Sequence, residues 1–292
     1  MAHGERERWL AGGEWLAAHL DDPRVRVVDM RGLVETVPAA EGELKATYRG
    51  LPERYAAGHI PGAVFLDWTT DIVDPNDPVP TQVAPPAQIA RILGEVGIGD
   101  DTTVVAYDDH PTGQFATRLW WVLRYYGHDA AMVLDGGIRA WQVDGHALST
   151  AIPSYPAATF TPRPRPEWRA TADGVLATLG DPDTLLADAR DGAQYRNAVR
   201  RGPRGGRIPG ALHLPREAFV DTAGRFRPDE ELQAVATAAG LEPEKQVVAY
   251  CNGGVAATTA LFALALLGYP RLANYDGSWN EWSARADLPI EG

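Results

Sequence analysis

The 292 residues are 45% hydrophobic and carry a formal net charge of −12. The chain can therefore build ordinary cores, and nucleic acid and anionic membranes are excluded as its main partners. A single cysteine excludes an internal disulfide framework and a Cys-cluster metal site, and no apolar run reaches the roughly 18 residues of a membrane-spanning helix. Met1 to Trp9 is charged and lacks the apolar core of a signal peptide. The expectation is a soluble, cytoplasmic protein whose thiol stays reduced.

Taken in chain order, the predicted elements come round twice. Val25 to Arg31 reads as a buried strand ending in Asp29-Met30-Arg31, and Thr184 to Arg190 reads the same way, ending in Asp188-Ala189-Arg190. Gly58-His59-Ile60-Pro61-Gly62-Ala63 returns as Gly206-Arg207-Ile208-Pro209-Gly210-Ala211. Val104 to Asp108 returns as Val247 to Cys251, and Asp135-Gly136-Gly137 with Trp141 returns as Asp276-Gly277-Ser278 with Trp282. The offset between copies shrinks steadily, which places extra loop residues in the first copy, mostly around Glu35 to Arg54. The period is far too long for a solenoid, so the chain is a duplicated globular domain. Residues 1–150 form the first copy and 167–292 the second. The proline-rich stretch 151–166 is expected to be an extended, semi-rigid linker.

Within the second copy Leu185–Ala187, Ala211–Leu214, Val247–Tyr250 and Leu272–Tyr275 read as strands. Ala170–Leu179, Asp229–Ala239 and Val255–Leu267 read as helices. This alternation predicts an α/β fold, each copy a mostly parallel sheet flanked by helices on both faces. Sites in such sheets form beyond the carboxyl ends of strands.

Cys251 falls at one of those ends. It opens the loop Cys251-Asn252-Gly253-Gly254 between a strand and a helix. The first N–H groups of a helix have no internal partner, and with the helix dipole they favour negative charge there. The thiolate is the reactive form of a thiol. A lone cysteine is more often a small buried hydrophobe, but a core residue does not need two successive glycines beside it. A backbone wrapped around an anion does. Asn252, Gly253, Gly254, Val255 and Ala256 are the predicted anion loop. In the first copy Asp108 stands where the second has Cys251.

These stretches resemble the rhodanese family of sulfurtransferases, in its tandem two-domain form, from about Trp15 to Pro289. The resemblance rests on Asp29-Met30-Arg31, His59 to Ala63, Ile208 to Ala211, Tyr250 to Ala257 and Asp276 to Trp282. It implies a ping-pong transfer in which the Cys251 thiolate takes sulfur from a small anionic donor, thiosulfate or 3-mercaptopyruvate. The resulting persulfide is then passed to cyanide, a thiol or a protein, without a metal or an organic cofactor. It also implies that the first copy is a structural partner closing the cleft, with Phe115 on an apolar wall and His59 facing the cleft. The donor should meet guanidinium groups, and Arg190 and Arg196 are the candidates. Arg190 has a competing reading as an ion-pair partner of Asp188, His59 as a loop brace and Phe115 as core.

The Cys loop departs from both familiar patterns, Cys-Arg-Lys-Gly of thiosulfate-type relatives and Cys-Gly-Ser-Gly of mercaptopyruvate-type relatives. Relatives usually carry an arginine near position 194, where this chain has Gln194. The expected activity is thiosulfate sulfurtransferase, with 3-mercaptopyruvate sulfurtransferase as the alternative. A Cys-dependent phosphatase would need an arginine six positions after the cysteine, and that position is Ala257. A non-catalytic sulfur-binding module ranks below these. The two copies can satisfy each other, so a monomer is expected.

Overall fold

The computed structural model describes residues 4–40 and 43–292. The first three residues of the charged N-terminus and two residues of the expected insertion, 41 and 42, lie outside that range. The strands in chain order are β1 (Leu10–Ala11), β2 (Val25–Asp29), β3 (Gly32–Ala40), β4 (Glu43–Gly50), β5 (Val64–Phe65), β6 (Thr103–Tyr107) and β7 (Ala131–Leu134). They continue with β8 (Arg169–Ala170), β9 (Thr184–Asp188), β10 (Arg200–Arg201), β11 (Leu212–His213), β12 (Gln246–Tyr250) and β13 (Leu272–Tyr275). Two five-stranded sheets result, ordered β1-β7-β6-β2-β5 and β11-β9-β12-β13-β8, every neighbouring pair parallel.

The central strands β6 and β12 are apolar runs buried along almost their whole length. A parallel sheet covered on both faces demands this. The helices Gln114–Tyr125 and Ala257–Leu266 follow β6 and β12 and lie against each other. Every residue of Ala257–Leu266 is buried. A helix apolar all round belongs in an interior, and this one is covered by its own sheet on one side and by the first unit on the other. Trp120 meets Phe262 edge-on at 5.0 Å, and one continuous core joins residues of both units.

The repeated sequence signals meet in one structural cluster per unit. Arg190 pairs with Asp188 at 2.6 Å and donates to the Gly206 carbonyl. Tyr250 Oη donates to Asp188 and accepts the Ile208 N–H. Arg31, Asp29, Gly58, Tyr107 and Ile60 repeat those bonds. The strand end, the Ile-Pro-Gly turn and the tyrosine before the Cys or Asp position are thus tied into one knot.

Residues expected to be an irregular insertion are an antiparallel hairpin instead, β3 with β4. Its second strand pairs in parallel with β10 of the other unit. The alternation Val34, Thr36, Leu44, Ala46, Tyr48 gives one face of a hairpin, and a partner strand across the cleft stabilises it. The stretch before Pro166 forms no regular element. It is fastened to the first unit by Ala158 N–H to Gly94 O, Arg163 N–H to Tyr126 O and Arg165 N–H to Tyr125 O, at 2.8 to 2.9 Å.

Candidate active site

Cys251 lies at the carboxyl end of β12 with 3% of its surface exposed, facing a cavity of about 250 Å³. Its N–H donates to Ser278 Oγ at 3.1 Å, and its carbonyl accepts from Trp279 N–H at 3.0 Å. The loop that follows is fixed from outside. The Gly253 carbonyl accepts from Thr81 Oγ1 at 2.7 Å. The Gly254 carbonyl accepts from Arg118 Nη1 at 3.1 Å and Asn274 Nδ2 at 2.9 Å. In a trans peptide the N–H points opposite to the C=O, so anchoring these carbonyls outward turns the Gly254 and Val255 N–H groups inward. None of the six N–H groups from Asn252 to Ala257 finds an acceptor among the described residues. Buried main-chain donors are seldom left so, and six in succession at a helix start form a nest for an anion.

Both glycines are required. A Cβ on Gly253 would stand 2.5 Å from Thr81 Oγ1. Gly254 has φ +69°, and a Cβ there would stand 2.7 Å from the Asp276 carbonyl oxygen.

The corresponding loop of the first unit carries its own plug. Asp108 is fully buried, and its carboxylate accepts the N–H groups of His110, Phe115 and Ala116 at 2.8 to 2.9 Å. Burial pushes this carboxyl up, to about 7, against those three donors, which pull it down.

The cavity over Cys251 is walled by both units. Leu33, Val34, Leu44 and Tyr48 of the hairpin form an apolar side, His110 and Gln114 come from the first unit's own loop, and Gln194, Arg201 and Arg216 come from the second. Arg201 donates to Tyr48 Oη. Arg216 bonds Glu217 at 3.0 Å, while its buried Nε has no acceptor among the described residues. Burial, with Arg216 beside it, pushes His110 down to about 4. Its Nδ1 accepts the Thr112 N–H at 3.2 Å, which leaves the ring proton on Nε2. The site can therefore hold a nucleophilic sulfur, an anion on that sulfur, and a second anionic group against guanidinium.

A model of the rhodanese-like domain matches the chain twice, over residues 13–144 and 171–285. The chain belongs to the rhodanese family. The 3-mercaptopyruvate sulfurtransferase of Escherichia coli is 35% identical to this rhodanese over 97% of this chain and 98% of its own. A putative thiosulfate sulfurtransferase of Mycolicibacterium smegmatis is 35% identical over 81% of this chain and 87% of its own. The crystal structure of SseA from Escherichia coli superposes with a TM-score of 0.80 at 32% identity, covering 93% of this chain and 98% of that one.

Of the residues singled out in the sequence, the structure brings Cys251, Asn252, Gly253, Val255 and Ala256 to the cavity, with Gly254 shaping the loop. The four expected donor contacts lie elsewhere. Arg190 is 1% exposed and spent on Asp188 and Gly206, its guanidinium stacked over Trp279 at 4.4 Å. Arg196 is on the surface, lying over Gly192. His59 is wholly buried, its ring stacked on Tyr55 and bonded to the carbonyls of Tyr55 and Ala151. Phe115 packs behind the cavity against Trp68 at 4.8 Å.

The cationic wall consists instead of Arg201 and Arg216. Arg201 was indistinguishable in sequence from its neighbours in an arginine-rich run. Arg216 follows the Ile-Pro-Gly-Ala turn at a position that no spacing rule marks. His110, two residues after Asp108, was visible only once the Cys position of the first copy had been aligned.

Proposed function

We propose that this rhodanese transfers sulfane sulfur from a small anionic donor to a thiophilic acceptor through a persulfide on Cys251. The observation that carries the reading is the run of six N–H groups without a partner among the described residues, beside the only cysteine. The thiolate attacks the outer sulfur of the donor. The donor's S–S or C–S bond breaks with its electron pair leaving on sulfite or on the enolate of pyruvate, and the new Cys251 persulfide carries its charge among fixed dipoles that need no reorganisation. No histidine base is needed for this step, because the nest favours the anion directly. Arg201 and Arg216 hold the donor's remaining charged group.

Thiosulfate and 3-mercaptopyruvate both satisfy that charge requirement. The apolar wall of Leu33, Val34 and Leu44 favours 3-mercaptopyruvate, whose carbon skeleton can cover it. The 35% identity to a 3-mercaptopyruvate sulfurtransferase along nearly the whole chain points the same way.

The working division of the chain is a scaffold copy over 1–150, a linker over 151–166 and a catalytic copy over 167–292. The protein is taken to act as a monomer in the reducing cytoplasm. No helix among the described residues is long and apolar enough to cross a membrane.

The test is an intact mass after incubation with each donor. The wild type gains one sulfur, about 32 Da, and Cys251→Ser gains nothing. Equal gain in both proteins, or none with either donor, refutes the reading. The donor that loads faster at equal concentration is the preferred one.

A further inference from the structure

The hairpin that walls the cavity also places a hydroxyl there. Tyr48, on β4 of the first unit, lines the space over Cys251 together with Arg201, and its ring stands edge-on to Trp68 at 5.7 Å. Its oxygen is held by two donors of the second unit. Arg201 Nη2 donates to Tyr48 Oη, and Asn280 Nδ2 donates to it at 3.4 Å. Asn280 in turn is tied to the anion loop. Its N–H bonds the Asn252 carbonyl at 2.8 Å, and its Nδ2 is 3.0 Å from the place that a Cβ on Gly253 would take. Tyr48 Oη therefore stands one amide group away from the loop, on the hairpin side.

A phenol has one proton to give and two lone pairs to receive. Guanidinium and amide NH₂ groups only give, so both lone pairs are answered. The Tyr48 proton has no acceptor among the described residues, and it is available to whatever fills the cavity.

The chemistry of the two donors decides which of them can use it. In 3-mercaptopyruvate the ketone is bonded directly to the carboxylate. A carboxylate facing Arg201 brings the ketone oxygen beside the group that Arg201 itself bonds, which is Tyr48 Oη. That oxygen becomes an enolate as the C–S bond breaks. Thiosulfate has no such atom, and sulfite leaves as a stable anion that needs no proton.

We propose that Tyr48 is a catalytic residue for 3-mercaptopyruvate, giving its hydroxyl proton to the enolate oxygen as pyruvate leaves, and that this hydroxyl sets the donor preference. This rests on the sulfur-transfer reading above and adds the residue that separates the two donors.

The step balances. The Cys251 thiolate attacks the thiol sulfur of the donor, and an Sγ–S bond forms. The C–S bond breaks with its electron pair going to the carbon skeleton, so carbon 3 is reduced and the sulfur is oxidised to the sulfane level. Tyr48 protonates the enolate oxygen, the enol leaves and becomes pyruvate in water, and the phenolate regains its proton from solvent. No other oxidant or reductant is consumed.

The test follows the loss of unmodified protein mass with time, using 3-mercaptopyruvate and, separately, inorganic polysulfide, whose leaving chain is already a stable anion. The ratio of the two rates within one preparation does not depend on how much of that preparation is folded. Tyr48→Phe keeps the ring on Trp68 and should lower the 3-mercaptopyruvate to polysulfide ratio by about a hundredfold, the smaller end of what a positioned proton donor contributes. Tyr48→Met removes the same hydroxyl, stands in should the first variant not fold, and should behave alike. An unchanged ratio, including an equal fall with both sulfur sources, makes Tyr48 a mere wall of the cavity and overturns the assignment. A wild type that loads from polysulfide but not from 3-mercaptopyruvate overturns it as well. Failure of the wild type to load from either overturns the transfer reading itself.

Discussion

Peptide N–H groups rather than any side-chain base lie beside Cys251, and the clearest titrating group in its cavity is His110. Burial, then Arg216 and Arg139, hold that imidazole neutral down to about pH 4, with only Asp109 opposing them. An unfolded histidine protonates near 6.5. Between those values the unfolded chain takes up a proton that the folded one refuses. This contribution to stability is whole above about pH 6.5 and is lost as the pH falls. Gln at this position does not titrate. His110→Gln should therefore gain on the wild type, on the order of 1–3 kcal/mol, between pH 7 and pH 4.5, as read from urea melts. Parallel pH profiles for the two proteins would show that the ring is protonated in the fold. Residue identities at the nucleophile and its loop were legible in the sequence, because two glycines after a lone cysteine have a backbone meaning. The cationic contacts were not. Arg190 and Arg201 look alike in a string of letters, and only burial separates an arginine locked onto Asp188 from one that faces the cavity.

The anion loop is held by elements of the other copy. Arg118, from the helix Gln114–Tyr125, is wholly buried. It bonds Asp276 at 2.6 Å, the Thr81 carbonyl at 2.8 Å and the Gly254 carbonyl at 3.1 Å. Removing one member of a buried ion pair costs up to about 3–5 kcal/mol, and Asp276 would keep only the Val83 N–H and Arg169 at 3.6 Å. Arg118→Met should fall by up to that amount in denaturant melts. Replacing Asp276 by Leu as well should restore much of the loss, since an apolar pair avoids desolvation. Sulfur loading should stay slower than in the wild type in the double variant, because the Gly254 carbonyl has lost one of its two outward anchors and keeps only Asn274. Recovery of the loading rate along with stability would reduce Arg118 to a fastener. The helix and strand positions followed well from sequence pattern. The helix expected from Val255 begins at Ala257, because the first residues are spent on the nest. The helix expected over Ala170–Leu179 covers only Ala172–Ala177, its first residue going into β8.

At the scale of the whole molecule the two units are interleaved. The first unit's hairpin pairs with β10, Arg6 reaches across to Asp229 at 2.8 Å, and Arg225 pairs with Asp144. Replacing residues 35–47 by a short turn should leave the two sheets folded, with the far-ultraviolet spectrum little changed. The same change should open the cavity to water, raise the donor KM and shorten the lifetime of the persulfide. An unaltered lifetime would mean that the hairpin does not shelter the sulfur. The hairpin was not legible, because its alternation is short and its partner strand lies more than 150 residues away. The duplication was legible, because the knot of Asp, Arg, Tyr and Ile-Pro-Gly recurs intact. It is in the plugged loop of the first copy that the duplication has its last effect. Asp108 is tethered to the chain and already answers the amides around it, so no dissolved ion can compete at that position. Inhibitory anions must then titrate with a stoichiometry of one per chain, however symmetrical the two halves look.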